Sequence, residues 1–174
     1  MRIVVLLLLA ILTSCGSKPA VKENSVPVSV SVPEKERELT VTDIKNAVSK
    51  HKDLVIDTIP AKSRIALLDI NSFDQDLGDF ATEEIIMSLV KAKKFSIIDR
   101  DSIETLRKEQ RFQASGEVND ATAVAIGKFV GASVVITGAI HRRYGRIDFT
   151  LKILDVETSE IIDLVPIQIW EDKI

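Results

Sequence analysis

The chain has a single cysteine, Cys15, and two histidines among 174 residues. One cysteine excludes an internal disulfide, a thiolate catalyst in the body of the chain and any cysteine-built metal site. His51 and His141 lie far from each other in sequence, and neither stands three or four residues from another ligand in a helix-facing pair. The pattern of a zinc or iron site is therefore missing. Positive charge is not in excess either. Against 26 acidic residues there are 23 Lys and Arg, a formal net charge of −3, which excludes the basic footprint of a nucleic-acid binder. There is no G-x-S-x-G elbow. Gly127-Lys128 comes late in a predicted helix with Phe129 where a hydroxyl should follow, so it is no phosphate loop, which needs its glycines before a helix. The role expected of Gly127 is to let that helix approach a sheet closely.

No apolar run is long enough to span a bilayer. Ile3 to Leu12 is unbroken but well short of the ~20 residues required. Preceded by Arg2, it reads as a secretory signal. It ends in Leu12-Thr13-Ser14-Cys15, small residues before a cysteine, the pattern of a bacterial lipobox. Residues 1–14 are thus expected to be a signal peptide and Cys15 to be lipidated. Removing the signal takes away only Arg2, so −3 becomes −4. No Asp follows the cysteine, which points to the outer membrane with the domain in the periplasm. Residues 15–38 are rich in Ser, Lys, Pro, Val and Glu without an apolar period. "VPVSVSVP" (Val26 to Pro33) could be a strand, but its bracketing prolines favour an extended tether. At ~3.3 Å per residue it reaches on the order of 75 Å.

Residues 39–174 have the size and composition of one domain. Thr40 or Thr42 can cap a helix with Val41, Ile44 and Val48 on one side. "RIALLDI" from Arg64 is a near-continuous apolar run, as in a strand buried on both faces. "GDFATEEIIMSLVKA" is helical, with Ala81, Ile85, Leu89 and Ile86, Val90 at spacing four. "KFSIIDR" reads as a second strand, and Asp101 with Glu104 as a capping box for a further helix. Asn119 or Asp120 caps "ATAVAIGKFV", which Gly131 stops. "ASVVITGAI" is a third buried strand. "RIDFTLKILDV" alternates Ile147, Phe149, Leu151 and Ile153 against polar residues, so one of its faces is wet. A turn at "VETSE" leads to "IIDLVPIQIW", which Pro166 places at a sheet edge. The expected fold class is α/β: one mixed sheet, a parallel βαβ part plus a C-terminal antiparallel hairpin, packed with helices.

Two constellations could carry function. Asp69 and Asp99 both end apolar runs, and on neighbouring parallel strands they would sit where open α/β sheets bind ligands, as in a magnesium site. No nucleophile–base pair accompanies them, and ordinary strand exits explain both. The loop "RFQASGEVND" (residues 111–120) has no histidine, lysine or cysteine to make it catalytic. Phe112 reads as an anchor and Gly116 as a turn residue. Gln113, Ser115, Gly116 and Glu117 remain as a candidate contact patch for a protein, or as a connection that serves only its turn.

"SRIALLDINS", "KFSIIDRDSIETLRKEQRFQASGEVNDATAVAIGKFVGASVVITGAI" and "TLKILDVETSEII" resemble the bacterial envelope lipoproteins grouped around the curli-secretion protein CsgG and the penicillin-binding-protein activator LpoB. The resemblance runs from about Leu39 to Ile162, with Asp99-Arg100, "FQASGEV", "IGKFVGAS" and "DVETSEI" as markers, and is nearest to the short LpoB-like activators. It implies a fold similar to the N-terminal domain of TolB and a function without catalysis or cofactor. The implied partner is an envelope protein, foremost a peptidoglycan synthase (a penicillin-binding protein), with the membrane reached through the lipid on Cys15. The CsgG branch implies instead assembly or secretion through a homo-oligomer, for which the hairpin from Ile147 to Trp170 offers an edge. Its membrane barrel is excluded, because the connections at Asn71 to Gly78 and Glu109 to Asn119 are too short for strands of ~9–11 residues.

Overall fold

Thr40 opens the first regular element. Its hydroxyl accepts from the Asp43 backbone N–H at 3.3 Å and its own N–H donates to the Asp43 carboxylate at 3.1 Å, a reciprocal cap that selects Thr40 over Thr42. Helix α1 runs Val41–Thr58 and buries Ile44, Ala47, Val48, Val55 and Ile56. Val41, expected on that stripe, sits in the first turn at its margin and is half exposed. The computed structural model describes residues 38–109, 118–143 and 146–169. Cys15, Phe112, the patch Gln113–Glu117 and Trp170 lie outside them.

Strand β1 (Arg64–Ser72), helix α2 (Gln75–Ala92), strand β2 (Ser96–Ile97), helices α3 (Arg100–Glu109) and α4 (Asp120–Val130), and strands β3 (Val134–Arg143), β4 (Arg146–Asp155) and β5 (Ile161–Ile167) complete the order. The strands form one five-stranded sheet in the order β2-β1-β3-β4-β5. β1 pairs parallel with β2 and β3, and β3-β4-β5 are antiparallel. This is the mixed α/β sheet the sequence predicts, with Pro166 on the edge strand.

Each sheet face has its own core. Ile65, Leu67, Ile136, Ile140, Phe149, Leu151 and Val165 pack under α1 and α2. Ala66, Leu68, Val135, Leu154 and Val156 pack under α3 and α4, against Ile103, Ala123 and Ile126. Alternation along β3, and along β1 as far as Leu68, supplies both sets, which is why these strands read as continuous apolar runs. Gly127 is where α4 comes nearest the sheet. A Cβ there would lie 2.4 Å from a Val135 methyl and 2.9 Å from one of Val156. Gly131 ends α4 at φ +68°, in the left-handed region expected of it.

Two expectations are corrected. The strand in "KFSIIDR" is only Ser96–Ile97, because the chain leaves the sheet at Asp99 to begin α3. Asp99, not Asp101, caps that helix: its carboxylate accepts from the Ser102 N–H at 3.3 Å, and Asp101 falls within the first turn. Glu104 turns instead to Arg107 at 3.1 Å.

The β4–β5 turn is organised by Asp155, whose carboxylate accepts from the N–H groups of Glu157 and Thr158, each at 2.8 Å. The bond from the Thr158 N–H, against an opposing effect of burial and with further help from the Glu157 N–H and the Thr158 hydroxyl, holds its pKa below the ordinary value of 3.8. A depressed carboxyl pKa stabilises the fold above its unfolded-state value and loses that contribution as pH falls through the folded one. Asp155→Asn is therefore expected to flatten the loss of stability below about pH 4, read from urea midpoints across pH. Gly127→Ala is expected to cost about 1–3 kcal/mol by overpacking, measured by thermal unfolding against Lys128→Ala on the open side of the same helix.

Candidate functional site

The site begins with an irregularity in β1. Leu67 pairs with Ile136 and Ile70 with Gly138, so β1 spends three residues where β3 spends two. The extra residue is a bulge. Without it, Asp69 would alternate onto the face of Leu67, inside the α1/α2 core. With it, Leu68 and Asp69 follow each other on the α3/α4 face, and Ile70 returns to the α1/α2 core.

Asp69 then meets two arginines of α3. Arg100 donates to one carboxylate oxygen at 2.7 Å and Arg107 to the other at 2.9 Å. Arg100 also reaches Asp79 of α2 at 3.3 Å, and Arg107 reaches Glu104. The Arg107 side chain is only 9 % exposed, so its charge depends on these carboxylates. Burial works against the charge of Arg100, but Asp69 and Asp79 outweigh it and its pKa lies above the usual guanidinium value. One carboxylate thus ties β1, α2 and α3 together. Sequence reading weighed Asp69 and Asp99 as a metal pair. The structure commits Asp69 to two guanidiniums and Asp99 to capping α3, and it does not join them. The residues missed were Arg100, Arg107 and Asp79. The signal was there in Asp99-Arg100, with Arg107 two helical turns further on.

Beyond Leu68 and Leu154 no described helix covers the same face, and its character changes. Asp69, Asn71, Thr137, His141, Thr150 and Lys152 line a cleft of about 240 Å³ with Val118 and Leu164 at its sides. Lys152 pairs with Asp120 of α4 at 2.8 Å. Asn71, Thr137, His141 and Thr150 make no side-chain hydrogen bond among the described residues, so the floor of the cleft keeps its polar groups for solvent or a partner. The other histidine is committed elsewhere: His51 Nδ1 lies 2.8 Å from the Ala47 carbonyl and Nε2 accepts from the Gln168 N–H at 3.5 Å.

The loop singled out in the sequence springs from this site. Its stems are Glu109, closing α3, and Val118, on the cleft wall just before the cap of α4. Asn119 is that cap, accepting from the Thr122 N–H at 2.8 Å, which decides between Asn119 and Asp120. The patch Gln113, Ser115, Gly116 and Glu117 and the anchor Phe112 fall outside the described residues.

Breaking the arginine network should cost stability. Asp69→Ala is expected to lose about 1–3 kcal/mol in urea unfolding, below the full cost of a broken buried pair because the carboxylate is 33 % exposed. A double-mutant cycle with Arg107→Met should show coupling of about 1–2 kcal/mol.

Comparison with known proteins agrees with this architecture. The sequence profile of the peptidoglycan-synthase activator LpoB matches residues 73–163. The LpoB C-terminal domain from Escherichia coli superposes with a TM-score of 0.57 at 19% identity, over 72% of this chain and 94% of that one. The same domain from Salmonella enterica gives 0.56 at 20% identity, over 72% and 95%. The NMR structure of E. coli LpoB gives 0.55 at 20% identity, over 87% and 88%. At such identity the likeness is one of fold. No curated protein sequence matches.

Proposed function

The chain belongs to the peptidoglycan-synthase activator LpoB family, and from that premise we propose that it is a non-enzymatic, outer-membrane lipoprotein that binds a penicillin-binding protein in the periplasm and stimulates it by contact. The observation that carries this reading is the family match. It spans α2 through the start of β5 and includes both arginines of the Asp69 network and the loop between α3 and α4. In this reading residues 1–14 are the signal peptide and Cys15 carries the lipid. Residues 15–38 are the tether and 39–174 the binding domain.

The contact surface we assign is the loop patch Gln113, Ser115, Gly116 and Glu117. Two features support it. The patch holds no acid–base or nucleophile set, and its stems are anchored, one by the arginine network and the other by the Asn119 cap. The polar cleft beside Val118 extends the surface a partner could cover.

The rival reading is assembly of copies through the β5 edge, as the CsgG branch would imply. The edge itself weighs against it. β5 carries an extra residue at Ile162, opposite the step from Ile153 to Leu154. Pro166 removes a donor, and Asp163 adds charge. A bulge, a proline and a charge are the devices that discourage edge-to-edge pairing.

The test is a reconstituted assay. The chain from residue 15 onward with Cys15→Ser is expected to co-purify with a bifunctional synthase of the same cell and to raise its rate of glycan polymerisation. An unchanged rate and no co-purification would sink the activator reading. A Gln113→Ala, Glu117→Ala variant is expected to weaken binding about tenfold, about 1.4 kcal/mol, at unchanged melting temperature.

A further inference from the structure

Where no described helix covers the α3/α4 face, the sheet presents its side chains in rows. Asn71, Ala139, Thr150 and Pro166 are register partners across β1, β3, β4 and β5. Thr137, Lys152 and Leu164 form the next row, with Thr137 opposite the bulge that carries Asp69. The rows lie roughly 7 Å apart, and neighbours within a row about 4.8 Å apart. The small side chain of Ala139, between Asn71 and Thr150, gives the cleft its depth, and Val118 and Leu164 form its apolar sides.

The charges of the cleft are already neutralised. Lys152 is held by Asp120 at 2.8 Å, and Asp69 by Arg100 and Arg107. Asn71, Thr137, His141 and Thr150 are half-buried and make no side-chain hydrogen bond among the described residues. Between them they offer N–H and O–H donors together with oxygen and nitrogen acceptors. Such groups can exchange water for a ligand that brings both donors and acceptors.

The makeup of the cleft excludes the common ways of holding a peptide. Strand addition needs an open sheet edge, and this is a face. A docked amphipathic helix needs an apolar groove, and this floor is polar. A proline-rich segment needs aromatic walls, and no described Phe, Tyr or Trp lines the cleft. An acidic segment needs unpaired arginines, and those nearest are committed to Asp69. At about 240 Å³ the cleft is also smaller than the ~300–1,000 Å³ of a site for a drug-sized molecule. What fits is a small neutral group with hydroxyls, an amide and an apolar face, which describes an N-acetylated sugar ring.

We propose that this cleft binds an N-acetylated sugar of the peptidoglycan glycan strand. Asn71 and Thr150 flank the ring, Thr137 and His141 reach its two ends, and Leu164 takes its apolar face. The carboxylates of the stem peptides are not selected, because the described cations of the cleft are paired. The choice of peptidoglycan as the glycan rests on the activator reading; the affinity for an N-acetylated sugar does not. An activator that holds the glycan stays beside the product of the enzyme it stimulates.

The test uses the chain from residue 15 onward with Cys15→Ser and no synthase, so its outcome is independent of co-purification. Titration with the N-acetylglucosamine trimer is expected to shift the backbone amide NMR signals of β3 and β4. Maltotriose, which has no acetamido group, is expected to leave them in place. The chain is expected to sediment with peptidoglycan sacculi before and after an amidase has removed the stem peptides. Thr137→Val with Thr150→Val keeps side-chain shape and strand preference. It is expected to weaken trimer binding at least about tenfold, at about fivefold for each lost hydrogen bond, with melting temperature unchanged. No shift with the trimer, equal shifts with maltotriose, or a double variant that binds like its parent would overturn the proposal. So would sedimentation that disappears with the stem peptides, which would assign the cleft to a peptide. Trimer binding without any sedimentation would overturn peptidoglycan as the source of the sugar.

Discussion

The organisation of this domain depends on where one carboxylate is allowed to point. Asp69 lies in a strand whose other residues are nearly all apolar, and regular alternation would drive it into the α1/α2 core. An unpaired carboxylate there would be costly enough to disfavour the fold. The bulge after Leu67 turns it to the opposite face, where two arginines from one helix neutralise it. The bulge and the network are therefore one device. The extra residue makes the charge affordable, and the charge fastens α3 to the sheet and, through Asp79, to α2.

That fastening sets the limits of the second core. α3 and α4 cover the half of their face built from Ala66, Leu68, Val135, Leu154 and Val156. They stop where Asp69 begins, and beyond it the strands present Asn71, Thr137, His141, Thr150 and Lys152. A sheet face that is sealed at one end and polar at the other suits a binding module. It has a rigid floor, a rim of compensated charges, and a loop rooted on both helices beside it. Gly127 serves the same arrangement from below, since α4 can close the sealed half only where no Cβ intervenes.

Much of this was readable along the chain. The two-sided burial of β1 and β3 appears as unbroken apolar runs, and the one wet face of β4 as strict alternation from Ile147 to Ile153. Gly127, Gly131 and Pro166 each carry a geometric demand that their residue type announces. The failures share a cause. "KFSIIDR" has the composition of a full strand, but how far it pairs depends on where its neighbour bulges and where α3 must begin. Asp101 with Glu104 satisfies a local capping pattern as well as Asp99 does, and only the position of the first helical turn separates them. The loop patch Gln113 to Glu117, read as a contact surface, rests on its sequence and the family it marks.

By itself, then, the amino-acid order determined the class of the fold, the alternating faces and the turn chemistry, and it carried the family markers. These are local properties, set by periodicities of a few residues and by backbone limits on Gly and Pro. Only the tertiary structure decided that Asp69 is a structural hub rather than half of a metal pair, that Asp99 is a cap, and that Asn71, Ala139 and Thr150 line up across three strands. Those outcomes depend on pairing register between distant segments. A shift of one residue exchanges the two faces of a strand, and nothing within the strand itself records which partner position it will meet.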